Sequence, residues 1–137
     1  NGPGENYVDR ATGSPVGIYK TTASKMFEPY IRPQFFGNRT GVRWIKVTDG
    51  TGAGMMVVAK DTVEACASRY DDADFEMDGK PARHIYQVAK RPGAVLNIDM
   101  MQAPIGCWGG FTSETPPIST MISANGTYTY TYKIVLL

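Results

Sequence analysis

Thr127-Tyr128-Thr129-Tyr130-Thr131-Tyr132-Lys133-Ile134-Val135-Leu136 alternates Thr or Lys with Tyr or Ile along most of its length. Successive side chains of a β-strand point to opposite faces, so alternation of this kind predicts a strand. The period puts Tyr128, Tyr130, Tyr132, Ile134 and Leu136 on one side of a sheet, and that side is expected to be core. Working back along the chain, Val42-Arg43-Trp44-Ile45-Lys46-Val47 also alternates. The turn-rich Asp49-Gly50-Thr51-Gly52 separates it from the apolar run Met55-Met56-Val57-Val58, and the two runs are predicted to pair as a hairpin with Trp44 in its core. Further short strands are expected over residues 16–20, 64–69, 84–89 and 94–99, each bounded by Gly, Pro, Asp or Asn. His84 is read as a strand residue. Helical signal is confined to residues 71–77, where Asp71 or Asp72 can cap a single turn. Six or more short strands predict an all-β fold, an antiparallel β-sandwich. The 15 Gly and 9 Pro are spread through the chain, which fits many turns rather than a flexible linker.

At 137 residues the chain has the size of one compact domain. With 14 Lys and Arg against 13 Asp and Glu it is close to neutral. No long-range field exists to draw in phosphate backbones or anionic lipid, so nucleic acid is excluded as the expected partner. No apolar run approaches the roughly 20 residues a membrane helix needs, and a soluble domain is expected. Asn1-Gly2-Pro3-Gly4 has neither the basic nor the apolar region of a signal peptide. It reads as loop, so the chain is expected to be part of a longer protein. Cys66 and Cys107 lie far apart without metal or redox spacing and are read as packed thiols, with a disulfide between them as the other reading. That leaves the compartment open between cytoplasm and periplasm.

Several constellations carry no chemistry. The acidic run Asp71, Asp72, Asp74, Glu76 and Asp78 lacks the mid-loop Gly and closing Glu of a calcium loop and reads as a solvated turn. His84 is the single histidine, which excludes a His cluster for zinc. Gly2-Pro3-Gly4-Glu5-Asn6-Tyr7-Val8-Asp9-Arg10 gathers acids, an aromatic and an Arg, and reads as a loop tied down by an Asp-Arg fork.

That loop phrase resembles one in the C-terminal domain of glycoside hydrolase family 2 β-galactosidases, and further phrases follow in the family's order. Tyr30-Ile31-Arg32-Pro33-Gln34, Gly37-Asn38-Arg39-Thr40 and Val42-Arg43-Trp44 are similar to the family's Tyr-x-Arg-Pro-Gln-Glu-Asn-Gly-x-Arg stretch and the strand after it. Phe35-Phe36 stands where the family usually shows Glu-Asn. The two rings are expected to pack under a loop, in ordinary core or against a neighbouring domain, with a modified sugar site as the other reading. Val95-Leu96-Asn97-Ile98-Asp99, followed by Gly106, Trp108 and Gly109, resembles the family's Leu-Asn-Ile-Asp strand and the glycine-rich loop ending in Ser-Trp. The loop is shorter here.

The resemblance implies the second half of a galactose-mutarotase-like supersandwich, with residues 1–137 forming one C-terminal domain of a larger retaining β-galactosidase. It also implies that Trp108 stacks on the sugar of the leaving-group subsite, since an indole face suits the C–H patch of a pyranose. Retaining glycosidases set two carboxyl groups about 5 Å apart. In the family both lie on the catalytic barrel, and none of Glu5, Glu28, Glu64, Glu76 or Glu114 falls in a matching phrase. The implied Mg and Na likewise belong to other domains. Expected partners are a β-galactoside bound in the parent's active site, the parent's remaining domains and a second copy of this chain. The other function class is a carbohydrate-binding, scaffolding or oligomerisation domain. A free-standing aldose epimerase lacks a matching acid and base.

Overall fold

A computed structural model of the chain describes residues 1–31, 33–75, 84–104 and 121–137. Among these residues the strands are β1 (Arg39–Thr48), β2 (Gly54–Ser68), β3 (Val95–Asp99) and β4 (Tyr132–Leu136). The helical segments are single 3₁₀ turns, and no helix among the described residues is long and apolar enough to cross a membrane. The expected all-β, antiparallel class is what the structure has.

The 15-residue β2 organises the sheet. β1 runs antiparallel along one edge, from Arg39 opposite Ala65 to Thr48 opposite Gly54. The other edge carries β3 opposite residues 64–68 and β4 opposite residues 55–59. The sheet stays open. The predicted hairpin is therefore present, and the candidate strand at 64–69 proves to be the far end of β2. Asp49 closes the hairpin turn by accepting the N–H of Thr51 at 2.8 Å, its hydroxyl at 2.7 Å and the N–H of Ala53 at 3.2 Å. These bonds hold its carboxyl below the usual range.

The core forms where β2 meets the loops. Phe36, Tyr70, Phe75 and Val88 are buried together, with Phe27, Tyr30 and Ile85 packed against them. Phe27 meets Phe36 edge-on at 5.1 Å between ring centroids, a favoured aromatic geometry. A second cluster joins Met26, Cys66 and Ala67 to Ala23, Phe35, Val47 and Leu96. Phe36 is thus ordinary core and Phe35 lies half-buried beside it, as two rings next to a Cys–Ala strand end allow. Cys66 is a buried free thiol that donates to the Phe36 carbonyl at 3.1 Å, and burial pushes its pKa up to about 12.

Some sequence readings are corrected. Residues 16–20 form no strand. They run exposed, with the Tyr19 hydroxyl returning to the Pro15 carbonyl at 2.9 Å, a local bond that satisfies the chain without a ladder. Residues 85–87 are a 3₁₀ turn closed by the Gln87 side chain, which accepts the His84 N–H at 2.9 Å. His84 is exposed and stacks on Tyr86 at 5.4 Å. The helical candidate at 71 is one 3₁₀ turn, Asp72–Asp74, with Asp71 as its cap, and Asp74 holds Arg91 through two bonds of 2.9 Å.

Trp44 is 42% exposed rather than core. It sits opposite Val58, two residues from Lys46 opposite Met56 and so on the same face, and Lys133 also pairs with Val58, so its face of the sheet is mixed with charge. The terminal strand begins at Tyr132 rather than Thr127, and Ile134 (54% exposed) and Leu136 (81% exposed) are not covered. Alternation places Ile45 and Ile134 on one side with Val57, with which both pair, but that side of β4 is not core: Val135, on the opposite face, is the strand's half-buried residue. Period alone does not say what lies over a face.

Candidate functional site

Three stretches far apart in sequence meet beside β2. The first is the loop at residues 1–10, the second is Gly37-Asn38-Arg39-Thr40, and the third is the end of β3. Their meeting point is a polar network, and buried polar groups are stable only when hydrogen-bonded.

Asn6 is its hub. Its backbone N–H donates to the Asn38 carbonyl at 2.9 Å, and its side-chain oxygen accepts the N–H of Thr40 at 3.0 Å and the Thr40 hydroxyl at 2.5 Å. Its side-chain amide donates to the carbonyls of Asn1 at 3.2 Å and Gly4 at 3.0 Å. A short polar side chain with both donor and acceptor is what such a bridge requires. Glu5 anchors the next layer, accepting the N–H of Gly37 at 2.5 Å and the hydroxyls of Tyr30 and Tyr7. Burial, then the bond and charge of Glu5, push the Tyr30 phenol up to about 12 against the opposing influence of Arg10. Tyr7 is fully buried and its phenol is raised further for the same two reasons. Glu5 is therefore an acid that ties this loop to the body. Gly37 is required at its place: its φ is +78°, and a Cβ there would stand 2.7 Å from the Met26 carbonyl oxygen.

Asn38 carries the network across to the sheet. It is fully buried, and its amide donates to the Asn6 carbonyl at 3.2 Å and to the carboxylate of Glu64. Glu64 lies in β2 directly opposite Asp99 of β3. It is only 7% exposed, and burial holds its carboxyl above the usual range against the bond from Asn38. The Gln102 side chain donates to Asp99 at 2.9 Å. Gln102 is thus tied back to the end of β3 through Asp99. Sequence reading passed over Asn38 and Glu64. The available signal was a Glu set within the apolar run Val63-Glu64-Ala65-Cys66-Ala67, where a buried partner has to be supplied.

Trp108, the residue expected to bind sugar, lies outside the described residues, as do Cys107, Glu76 and Glu114. Among the described carboxylates, Glu5 and Glu64 are engaged by N–H and O–H donors within the fold. No group of three or more His, Cys, Asp or Glu among the described residues converges to hold a metal ion. A shallow cleft of about 460 Å³ opens beside Ala23, Val47, Met55, Pro92 and Leu96, largely apolar, with Arg69 and Asp49 as its charged groups.

Residues 1–134 match the family described as the beta galactosidase small chain. The beta-galactosidase of Priestia megaterium is 32% identical over 133 residues, which is 97% of this chain and 12% of that protein. That of Halalkalibacterium halodurans is 35% identical over 112 residues, 79% of this chain and 11% of that protein. That of Lactobacillus delbrueckii subsp. bulgaricus is 49% identical over 75 residues, 55% of this chain and 7% of that protein. The chain spans about a tenth of the length of these curated relatives. Matched nearly end to end, the chain belongs to the beta-galactosidase small-chain family.

Proposed function

We propose that this chain is the C-terminal accessory region of a retaining β-galactosidase and lends Trp108 to the subsite for the leaving-group sugar. The observation that carries the reading is the family match over residues 1–134, which includes position 108 in a chain spanning 12% of a full-length relative. The catalytic carboxylates belong to the remainder of the parent, and the 137-residue chain alone is inactive. Its contribution is orientation: a flat ring packs against the C–H face of a pyranose while the hydroxyls are served elsewhere. Trp108→Ala in the full-length enzyme tests this. Binding of the sugar leaving group or acceptor should weaken while the melting temperature holds, and unchanged kinetics would retire the proposal.

A second reading, a scaffolding, oligomerisation or carbohydrate-binding domain that does not touch substrate, draws on the uncovered Ile134 and Leu136 and the open sheet. Unpaired strand edges and bare apolar faces seek partners, here the parent's other domains or a second copy. Titrating the isolated chain with galactose and lactose separates the classes: saturable binding marks a binding module. Light scattering at high concentration reads self-association, and a monomer there counts against a second copy as partner.

A further inference from the structure

Glu64 and Asp99 stand opposite each other across β2 and β3. Residues paired in this way point to one side of the sheet, and of two carboxyl groups so placed one holds its proton more tightly. Their surroundings differ. Asp99 is half-buried and accepts a hydrogen bond from the Gln102 amide at 2.9 Å, a donor that suits an ionised oxygen. Glu64 is buried, and beside it lies an acceptor that lacks a donor. Asn38 is fully buried and gives its amide hydrogens to the Asn6 carbonyl at 3.2 Å and to Glu64, while its side-chain oxygen meets no donor among the described residues. A buried amide oxygen left in that state is destabilising. A primary amide and a carboxylic acid can close a ring of two hydrogen bonds, N–H to one acid oxygen and O–H back to the amide oxygen. The first of these bonds is present. One proton on Glu64 supplies the second and removes the charge that burial disfavours.

We propose that Glu64 is a proton-operated clasp: protonated, it donates its hydroxyl to the Asn38 side-chain oxygen while accepting the Asn38 amide, and it loosens when that proton leaves for solvent. This holds whatever the role of Trp108. Asn38 also accepts the Asn6 N–H at 2.9 Å, so the clasp sets how firmly the loop at residues 1–10 and the approach to β1 sit on β2. Without the proton, a bare carboxylate oxygen lies beside a bare amide oxygen and one bond remains. Other charged groups nearby are turned elsewhere: Arg39 to the carbonyls of Pro3, Gly37 and Asn38, the Asn1 ammonium to the Thr40 carbonyl, and Glu5 to the N–H of Gly37. Burial, then the charge of Asp99, raises the Glu64 carboxyl above its ordinary value, against the Asn38 bond. An acid raised by folding contributes stability that is complete below its ordinary value and is lost as pH rises through the folded one, so the clasp tightens in acid.

The test is amide hydrogen exchange in the full-length protein, wild type against Glu64→Gln, which can make the same two bonds and has no proton to lose. The amides to follow are those of Asn6 and Thr40, bonded at 2.9 Å to the Asn38 carbonyl and at 3.0 Å to the Asn6 side chain. Comparing the two proteins at each pH cancels the intrinsic pH dependence of exchange. Above the ordinary glutamate value of 4.5, the wild type should exchange progressively faster than Glu64→Gln, by up to about tenfold per pH unit, the limit for one proton. Repeated in an Asp99→Asn background, the same comparison should keep its slope, since the proton is on Glu64. A ratio that stays flat or falls with rising pH shows Glu64 ionised in the folded protein and overturns the inference. A slope that disappears with Asp99→Asn puts the proton on Asp99 and overturns it equally. Should Glu64→Gln not fold, Glu64→Met, which likewise cannot titrate, is the reference and the same outcomes decide.

Discussion

The carboxylate of Glu5 accepts the backbone N–H of Gly37 at 2.5 Å, joining residues 32 positions apart. It accepts the Tyr30 hydroxyl as well, so one acid fixes the N-terminal loop, the aromatic at 30 and the approach to β1. Replacing Glu5 with Ala orphans these donors. The expected loss is about 1–3 kcal/mol, the usual penalty for a stranded polar group, read as a lower midpoint in urea with an unchanged slope.

The same contact governs alkaline behaviour. The Tyr30 phenol is raised from its ordinary value of 10.0 to about 12, first by burial and then by Glu5. A group whose folded value lies above its unfolded value contributes stability that is complete below the unfolded value and is lost as pH rises through the folded one. Stability attributable to Tyr30 should therefore hold to about pH 10 and fall between about 10 and 12. Ultraviolet titration of phenolate should show a late-ionising tyrosine that moves earlier in Glu5→Gln.

Gly37→Ala forces a left-handed backbone on a residue with a Cβ and drives that Cβ against the Met26 carbonyl. Conformation alone costs roughly 1–2 kcal/mol, and the contact adds to it. Thermal unfolding should show a drop larger than that for Gly50→Ala, where the added methyl meets open space.

Phe36 and Trp44 should respond oppositely to what residue size suggests. Phe36→Ala empties the centre of an aromatic cluster and is expected to cost about 3–5 kcal/mol. Trp44→Ala, on the half-exposed face of β1, should cost the isolated chain less than about 1 kcal/mol. A Trp44 loss as large as that of Phe36, measured by denaturant unfolding, would contradict the packing described here.

Cys66 offers a local probe of opening. Its thiol is buried and raised to about 12, and the thiolate is the reactive form. In a Cys107→Ser background, modification by an aromatic disulfide at pH 8 should be slow and should accelerate with urea in step with unfolding. Fast modification in the absence of urea would place Cys66 at the surface.

Alternation at Val42-Arg43-Trp44-Ile45-Lys46-Val47, the Asp49-Gly50-Thr51-Gly52 turn and the Leu-Asn-Ile-Asp strand were legible in the residues because period two and turn chemistry are local properties. The family phrases were legible too, as strings. Nothing in the string said that Asn6, Asn38 and Glu64 would touch, since hydrogen bonds between residues 26 and 32 positions apart exist only once the strands are in register. Burial failed for a related reason. Trp44 and Leu136 are large and apolar, which reports an appetite for cover, whereas whether cover arrives depends on what packs over that side of the sheet. The sequence alone determined the β class, the hairpin and the kinship. The tertiary structure decided which large apolar residues are covered and which partners Glu5, Asn38 and Glu64 take, because each of these depends on groups that only folding brings within reach of one another.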